Sequence, residues 1–74
     1  MTDHPVVRRS GVMSGQPCLR GTRVPVAVLF ENLADGLSLA EIVDSYPTLE
    51  ADDCRRAILL AGELLAAAAP VDGD

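Results

Sequence analysis

From residue 25 onward the apolar positions fall into helical periods. Val26, Leu29, Phe30 and Leu33 recur at i, i+3, i+4 and i+7, one stripe of an amphipathic helix. Pro25 suits its first turn, because the N–H that proline lacks would be unpaired there anyway. Gly36 supplies the stop. Ser38-Leu39-Ala40-Glu41 has the spacing of a capping box, in which serine and glutamate satisfy each other's free backbone donors. Leu39, Ile42, Val43 and Tyr46 repeat the stripe, and Pro47 ends the second helix. A third helix is predicted over about residues 50–69, with Glu50, Asp52 and Asp53 near the positive end of its dipole.

That third helix changes character along its length. Ala57, Ile58, Leu59, Leu60, Ala61, Leu64 and Leu65 make it apolar on nearly every side, with Glu63 the one interruption. A helix apolar all round is normally buried all round. Three helices of this size cannot surround it. A second copy or a partner protein is therefore expected over the remaining face, and Leu59, Leu60, Leu64 and Leu65 are the candidate interface.

Ahead of residue 25 the helical period is absent. Val6-Val7-Arg8-Arg9 is a short β-prone run, followed by the turn signals Ser10-Gly11 and Ser14-Gly15. Cys18-Leu19-Arg20 and Thr22-Arg23-Val24 read as extended on either side of Gly21, where a glycine signals a bulge or a close backbone approach. Val24 precedes a proline and is expected to be extended too. The pattern predicts a single, mainly α domain over 1–74: a β-hairpin element at about 6–24, three helices over 25–69, and a frayed tail at 70–74.

Composition adds two constraints. Hydrophobic residues make up 49 %, yet Phe30 and Tyr46 are the only aromatics, so the core must be built from aliphatic side chains. A chain of 74 residues buries only about 60 % of its unfolded surface, and oligomerisation commonly supplies the rest. A homodimer is the expectation. The net charge of −5 also hides a split: residues 1–25 carry +3 and residues 26–74 carry −8. Such a chain can meet one polyanionic and one basic partner, or the two parts can complement each other within a dimer.

Chemistry-bearing residues are few. Cys18 and Cys54 are far apart with no CxxC spacing, and His4 is the one histidine, so no zinc site is expected. The cysteine count allows a disulfide. Met1-Thr2-Asp3-His4-Pro5 lacks a signal-peptide pattern, however, so a cytoplasmic setting is expected, with both cysteines as small apolar core residues. The apolar run at 57–69 is too short to span a bilayer. No Ser/His/Asp set can be assembled, and Asp52-Asp53 does not form a metal pair, because adjacent helical residues do not face each other. These acids read as solvated helix-start residues. No enzyme activity, cofactor or metal is expected.

The run Gly15-Gln16-Pro17-Cys18-Leu19-Arg20-Gly21-Thr22-Arg23-Val24-Pro25-Val26 carries a family resemblance. Gly15, Pro17, Arg20, Gly21, Thr22, Arg23, Pro25 and Val26 match the first motif block of domain-of-unknown-function family 433 (DUF433). Gly36, Ser38, Glu41, Tyr46, Pro47 and Leu49 match its second block. In this chain Gln16 replaces the usual lysine, Glu50 stands where serine or threonine often caps, and Cys54 replaces a larger aliphatic residue. The resemblance implies a short β element before a three-helix, homeodomain-like helix-turn-helix core. It further implies an antitoxin of VapB type that silences a PIN-like ribonuclease toxin and represses its own promoter by binding operator DNA. The other reading is a protein-interaction module whose helix-turn-helix is only a scaffold and binds no DNA.

Within that fold the start of the third helix would read bases, so Arg55 and Arg56 become candidate DNA contacts. The alternative pairs them with Glu50, Asp52 and Asp53 at helical spacing. Arg8 and Arg9 are the cleaner candidates for phosphate attraction. Arg20 and Arg23 could join them, but read better as structural ties from the hairpin to Glu31, Asp35 or Asp44. The rest of the motif block is expected to be mainly structural.

Overall fold

The computed structural model describes residues 3–73 of the chain. Met1 and Thr2 of the N-terminal segment, and position 74 of the expected tail, lie outside them. The architecture is mainly helical: a two-stranded hairpin, β1 (Val6–Val7) and β2 (Cys18–Leu19), followed by α1 (Val26–Ala34), α2 (Leu39–Ser45) and α3 (Ala51–Ala68). The strands are antiparallel, with Val6 opposite Leu19 and Val7 opposite Cys18.

The hairpin is closed by unusual backbone. Met13, Ser14 and Gly15 form a short 3-10 turn with φ of 49°, 57° and 77°. Glycine adopts such angles freely; the other two residues bear a steric cost there. A second tight turn follows β2. Thr22 N–H donates to the Leu19 carbonyl at 3.0 Å, and Gly21 has φ of 75°, the sign that the third position of a type II turn demands. A Cβ built on Gly21 would meet nothing within 4 Å. Its glycine is thus required by the turn and by no bulge or close approach. The buried Thr22 hydroxyl donates to Leu19 O at 2.8 Å and accepts from Val24 N–H at 3.0 Å. No buried side-chain polar atom among the described residues is left without a partner.

The knot also starts α1. Cys18 bridges to Pro25, and Val26 N–H donates to Pro17 O at 2.9 Å. Pro25 sits one residue earlier than expected, as the N-cap with φ −61° and ψ 144°. At the other end Gly36 takes φ of 94°, while Gly36 N–H bonds Leu33 O and Leu37 N–H bonds Asn32 O, both bonds of a Schellman stop. The capping box opens α2 as its spacing predicted: Glu41 N–H donates to Ser38 Oγ at 3.1 Å and Ser38 N–H to Glu41 Oε1 at 2.8 Å. α3 has no such device, since Glu50 at its N-cap makes no side-chain capping bond.

β2 and the three helices, with Leu49 from the α2–α3 connection, build one aliphatic core of Leu19, Leu29, Ile42, Leu49, Cys54 and Ala57, and Val6 of β1 packs against it. Both cysteines are free and buried, and burial pushes the Cys54 thiol above its ordinary value. Pro5 is fully buried as well, so the segment ahead of β1 is packed down and is no loose tail. No helix among the described residues is long and apolar enough to cross a membrane.

Candidate functional site

The arginines are sorted by what reaches them. Arg20, carried on the turn after β2, donates Nη2 to Asp53 Oδ1 at 2.8 Å and Nη1 to Asp3 Oδ1 at 3.1 Å. Hydrogen bonding to Asp3 and the two neighbouring carboxylates hold its guanidinium pKa above the ordinary value. Arg56 approaches from the next turn of α3: Nη1 lies 3.6 Å from Asp53 Oδ1, and Nη2 donates to the Asp3 carbonyl at 2.8 Å. Asp53 thus sits buried between two guanidinium groups, and the same groups tie down the chain ahead of β1.

Three expectations change here. The partners of Arg20 are Asp3 and Asp53, in place of Glu31, Asp35 or Asp44. Asp53 is a buried anchor, with its side chain 8 % exposed, where a solvated helix-start acid was expected. Opposite charges of the two parts of the sequence also meet inside one chain through Arg20 and Asp53. The sequence held no spacing signal for this, since Arg20 and Asp53 are 33 residues apart.

The remaining arginines divide similarly. Arg8 Nη1 donates to the Gly15 carbonyl at 3.3 Å, across the hairpin loop. Arg9, Arg23 and Arg55 are exposed and make no ion pair or side-chain hydrogen bond with the described residues. Of the two candidate base readers, Arg56 is therefore clamped and Arg55 is free. The exposed charges of α2 and of the start of α3 are Glu41, Asp44, Glu50, Asp52 and Arg55, four acids against one free cation. A shallow cavity of about 550 Å³ runs between these helices, with Asp44 and Arg55 on its rim and Leu39 and Val43 on its floor. Among the described residues no three metal-ligating side chains come together.

A second cavity, of about 380 Å³, is almost wholly apolar. Val6, Pro17 and Phe30 form one wall; Leu60, Ala61 and Leu64 of α3 form the other. It marks where α3 leaves the rest of the molecule. Cys54, Ala57, Ile58 and Ala61 are buried or half-buried along the row that faces the other elements. At the same spacing the row continues as Leu64, Leu65 and Ala68, yet every residue from 62 to 73 is exposed. Leu64 is 68 % and Leu65 71 % exposed. Leu59 is equally bare at 68 %, but lies about 140° around the helix from Leu64, in a row with Asp52, Arg55 and Glu63. The four leucines expected to share an interface therefore do not share a face: Leu64 and Leu65 continue the inward row, Leu60 flanks it beside Leu64, and Leu59 lies on the other side of the helix.

A family model described as "Protein of unknown function (DUF433)" matches residues 6–61. The chain belongs to the DUF433 family. It is similar to the uncharacterized protein y4eO of Sinorhizobium fredii (strain NBRC 101917 / NGR234), 36 % identical over 50 residues, which are 68 % of this chain and 23 % of that protein. It is also similar to the crystal structure of a DUF433 member from Anabaena variabilis ATCC 29413, with a TM-score of 0.70 and 31 % identity over 82 % of this chain and 60 % of that one. The chain thus spans about a quarter of the curated relative it matches.

The DUF433 motif can now be placed residue by residue. Gly15, Gly21 and Thr22 shape the two turns, Pro17 and Pro25 join the hairpin to α1 at Val26, and Arg20 reaches Asp53. Arg23 alone of the block points to no partner among the described residues. The family match stops at residue 61, where the cover over α3 also stops.

Proposed function

We propose that this DUF433 protein acts by binding and not by catalysis, as a cytoplasmic antitoxin-type module that masks a PIN-like ribonuclease through the far end of α3. The observation that carries this reading is the uncovered row Leu64-Leu65-Ala68, the direct continuation of a row that upstream packs into the core. Apolar side chains at helical spacing are what a helix-in-groove partner reads. The ribonuclease identity rests on the family resemblance; the exposed row is what supports the far end of α3 as its binding surface.

Promoter binding is the weaker half of the antitoxin reading. A phosphate backbone is attracted by clustered free cations, whereas the exposed charges of α2 and the start of α3 are four acids and Arg55 alone, and Arg20 and Arg56 are paired with Asp3 and Asp53. Co-expression with a PIN-like ribonuclease encoded beside it tests the proposal. A stable co-purifying complex and rescued growth are expected; no complex and no rescue would sink it. A mobility-shift titration on upstream DNA should show no salt-sensitive complex at about 1 µM protein.

A further inference from the structure

We infer that, in the absence of another partner, a second copy of this chain covers the groove between the hairpin, α1 and α3, each copy laying its Leu64-Leu65-Ala68 row into the other's cavity. This rests on the reading of the far end of α3 as the docking surface, and it names the occupant of that surface in the free protein.

Surface area is the first argument. The chain exposes 5284 Å², against about 4,400 Å² for a compact monomer of this mass. The excess is roughly 900 Å², close to the roughly 800 Å² that each partner contributes to a stable interface of standard size. Its Cα radius of gyration tells the same story: 13.7 Å, against about 11 Å for a compact chain of this length. Residues 62–73, all of them exposed, contribute to that excess, which is about as much free surface as one half of a dimer interface.

Self-complementarity is the second argument. Of the groove wall formed by Leu60, Ala61 and Leu64, the last two belong to the same helical row as the free Leu65 and Ala68, and Leu60 flanks it. A two-fold axis beside Leu64 then offers each row the other copy's Val6, Pro17 and Phe30, the isologous arrangement a symmetric dimer requires. Ala61 and Ala68 are small enough to let two helices approach closely. Charge is the third argument. The net charge of −5 would oppose pairing of most faces, but the row from Cys54 through Ala57, Ile58, Ala61, Leu64 and Leu65 to Ala68 carries no charged group. Glu63, the one charge in residues 62–71, stands on the opposite side with Leu59 and stays in solvent.

Leu59 and Leu64 make the test clean, since both are leucines on α3, both are 68 % exposed, and they lie on opposite faces. Sedimentation equilibrium of the full chain should give the dimer mass, with a dissociation constant of about 10 µM or tighter. Leu64→Asp should weaken dimerisation at least about a hundredfold while Leu59→Asp leaves it within a factor of about three, both variants keeping the helical circular-dichroism spectrum. A wild-type chain that stays monomeric at about 200 µM, or a dimer equally sensitive to both substitutions, overturns the inference. Capture of the ribonuclease, measured separately on the wild type, keeps the two readings apart. A monomer that captures it overturns only the dimer; a dimer that ignores it overturns only the proposed function.

Discussion

Between residues 51 and 61, α3 lies against the hairpin and the other helices, its Asp53 held by Arg20 and its Cys54 and Ala57 in the core; from residue 62 on, every residue of the same unbroken helix is exposed. The residues are distributed against what this contrast might suggest. The near half contains two aspartates and a cysteine, poor helix formers, and begins at an N-cap without a side-chain bond. The far half, Gly-Glu-Leu-Leu-Ala-Ala-Ala, is after its glycine made of strong helix formers. The near half is therefore held by tertiary ties in spite of its propensity. The far half is held by propensity, without tertiary ties, and isolated helical segments of this length are marginal in water. One helix thus contains a folded element and an element waiting for a surface.

The sharpest way to break that contrast is to remove the tie. Asp53→Ala leaves Arg20 and Arg56 facing each other across a buried gap and frees the segment around Asp3. Breaking a fully buried pair typically costs roughly 3–5 kcal/mol. The arginines here are partly solvated, Arg20 being 35 % exposed, so the expected loss is smaller, about 2 kcal/mol. At this chain length that lowers the melting temperature by about 10 °C. A thermal melt checks it. A loss below about 0.5 kcal/mol, the range of ordinary surface substitutions, would mean that the near half owes its order to the apolar core alone.

A matched pair of substitutions sharpens the comparison within the helix. Ala57→Gly removes a buried methyl and adds backbone entropy in the ordered half, for an expected cost of about 1.5–2 kcal/mol. Ala67→Gly, in the exposed last turn, is expected to cost less than about 0.5 kcal/mol in the monomer, because that turn opens without unfolding the rest. Urea titrations at low concentration measure both. Equal penalties would show that the far half belongs to the same cooperative unit.

The sequence made the local devices readable and left the long-range ones hidden. Ser38 and Glu41 lie three residues apart, and Gly36 follows an apolar stripe, so the capping box and the helix stop are short-range patterns with one physical outcome each. Arg20 and Asp53 are joined by the fold alone. Nothing near Asp53 distinguishes it from Asp52, yet one is buried and the other is exposed. The division among the apolar residues of α3 was hidden for a related reason. Counting leucines shows a helix apolar all round, whereas their angular placement relative to Cys54 and Ala57 separates Leu59 from Leu60, Leu64 and Leu65. Pro5 carried no signal either, because its burial follows from long-range pairing, with its carbonyl accepting from Arg20 N–H at 2.8 Å. For the candidate site, then, the sequence showed that an apolar surface exists, and the fold showed which side of the helix it occupies.

The smallest expected effect separates the two ways in which helices are started here. α2 is seven residues long and begins with a local, charge-assisted device, whereas α3 begins with a distant one. The Ser38 backbone N–H bonded to Glu41, together with the Ser38 side chain, holds the Glu41 carboxyl below its ordinary range. A carboxylate depressed in the folded state contributes stability that is fully present above its unfolded pKa and is lost as pH falls through the folded one. Glu41→Gln keeps an acceptor at this place but cannot ionise. The wild type should therefore exceed the variant modestly at about pH 7, and the gap should begin to close below about 4.3, the ordinary glutamate value. Amide exchange at the first turn of α2 should follow the same curve, while the amides around Asp53 are indifferent to the substitution. A gap that stays constant down to about pH 3 would mean that the box works through hydrogen-bond geometry alone, and that α2 and α3 do not differ in how charge starts them.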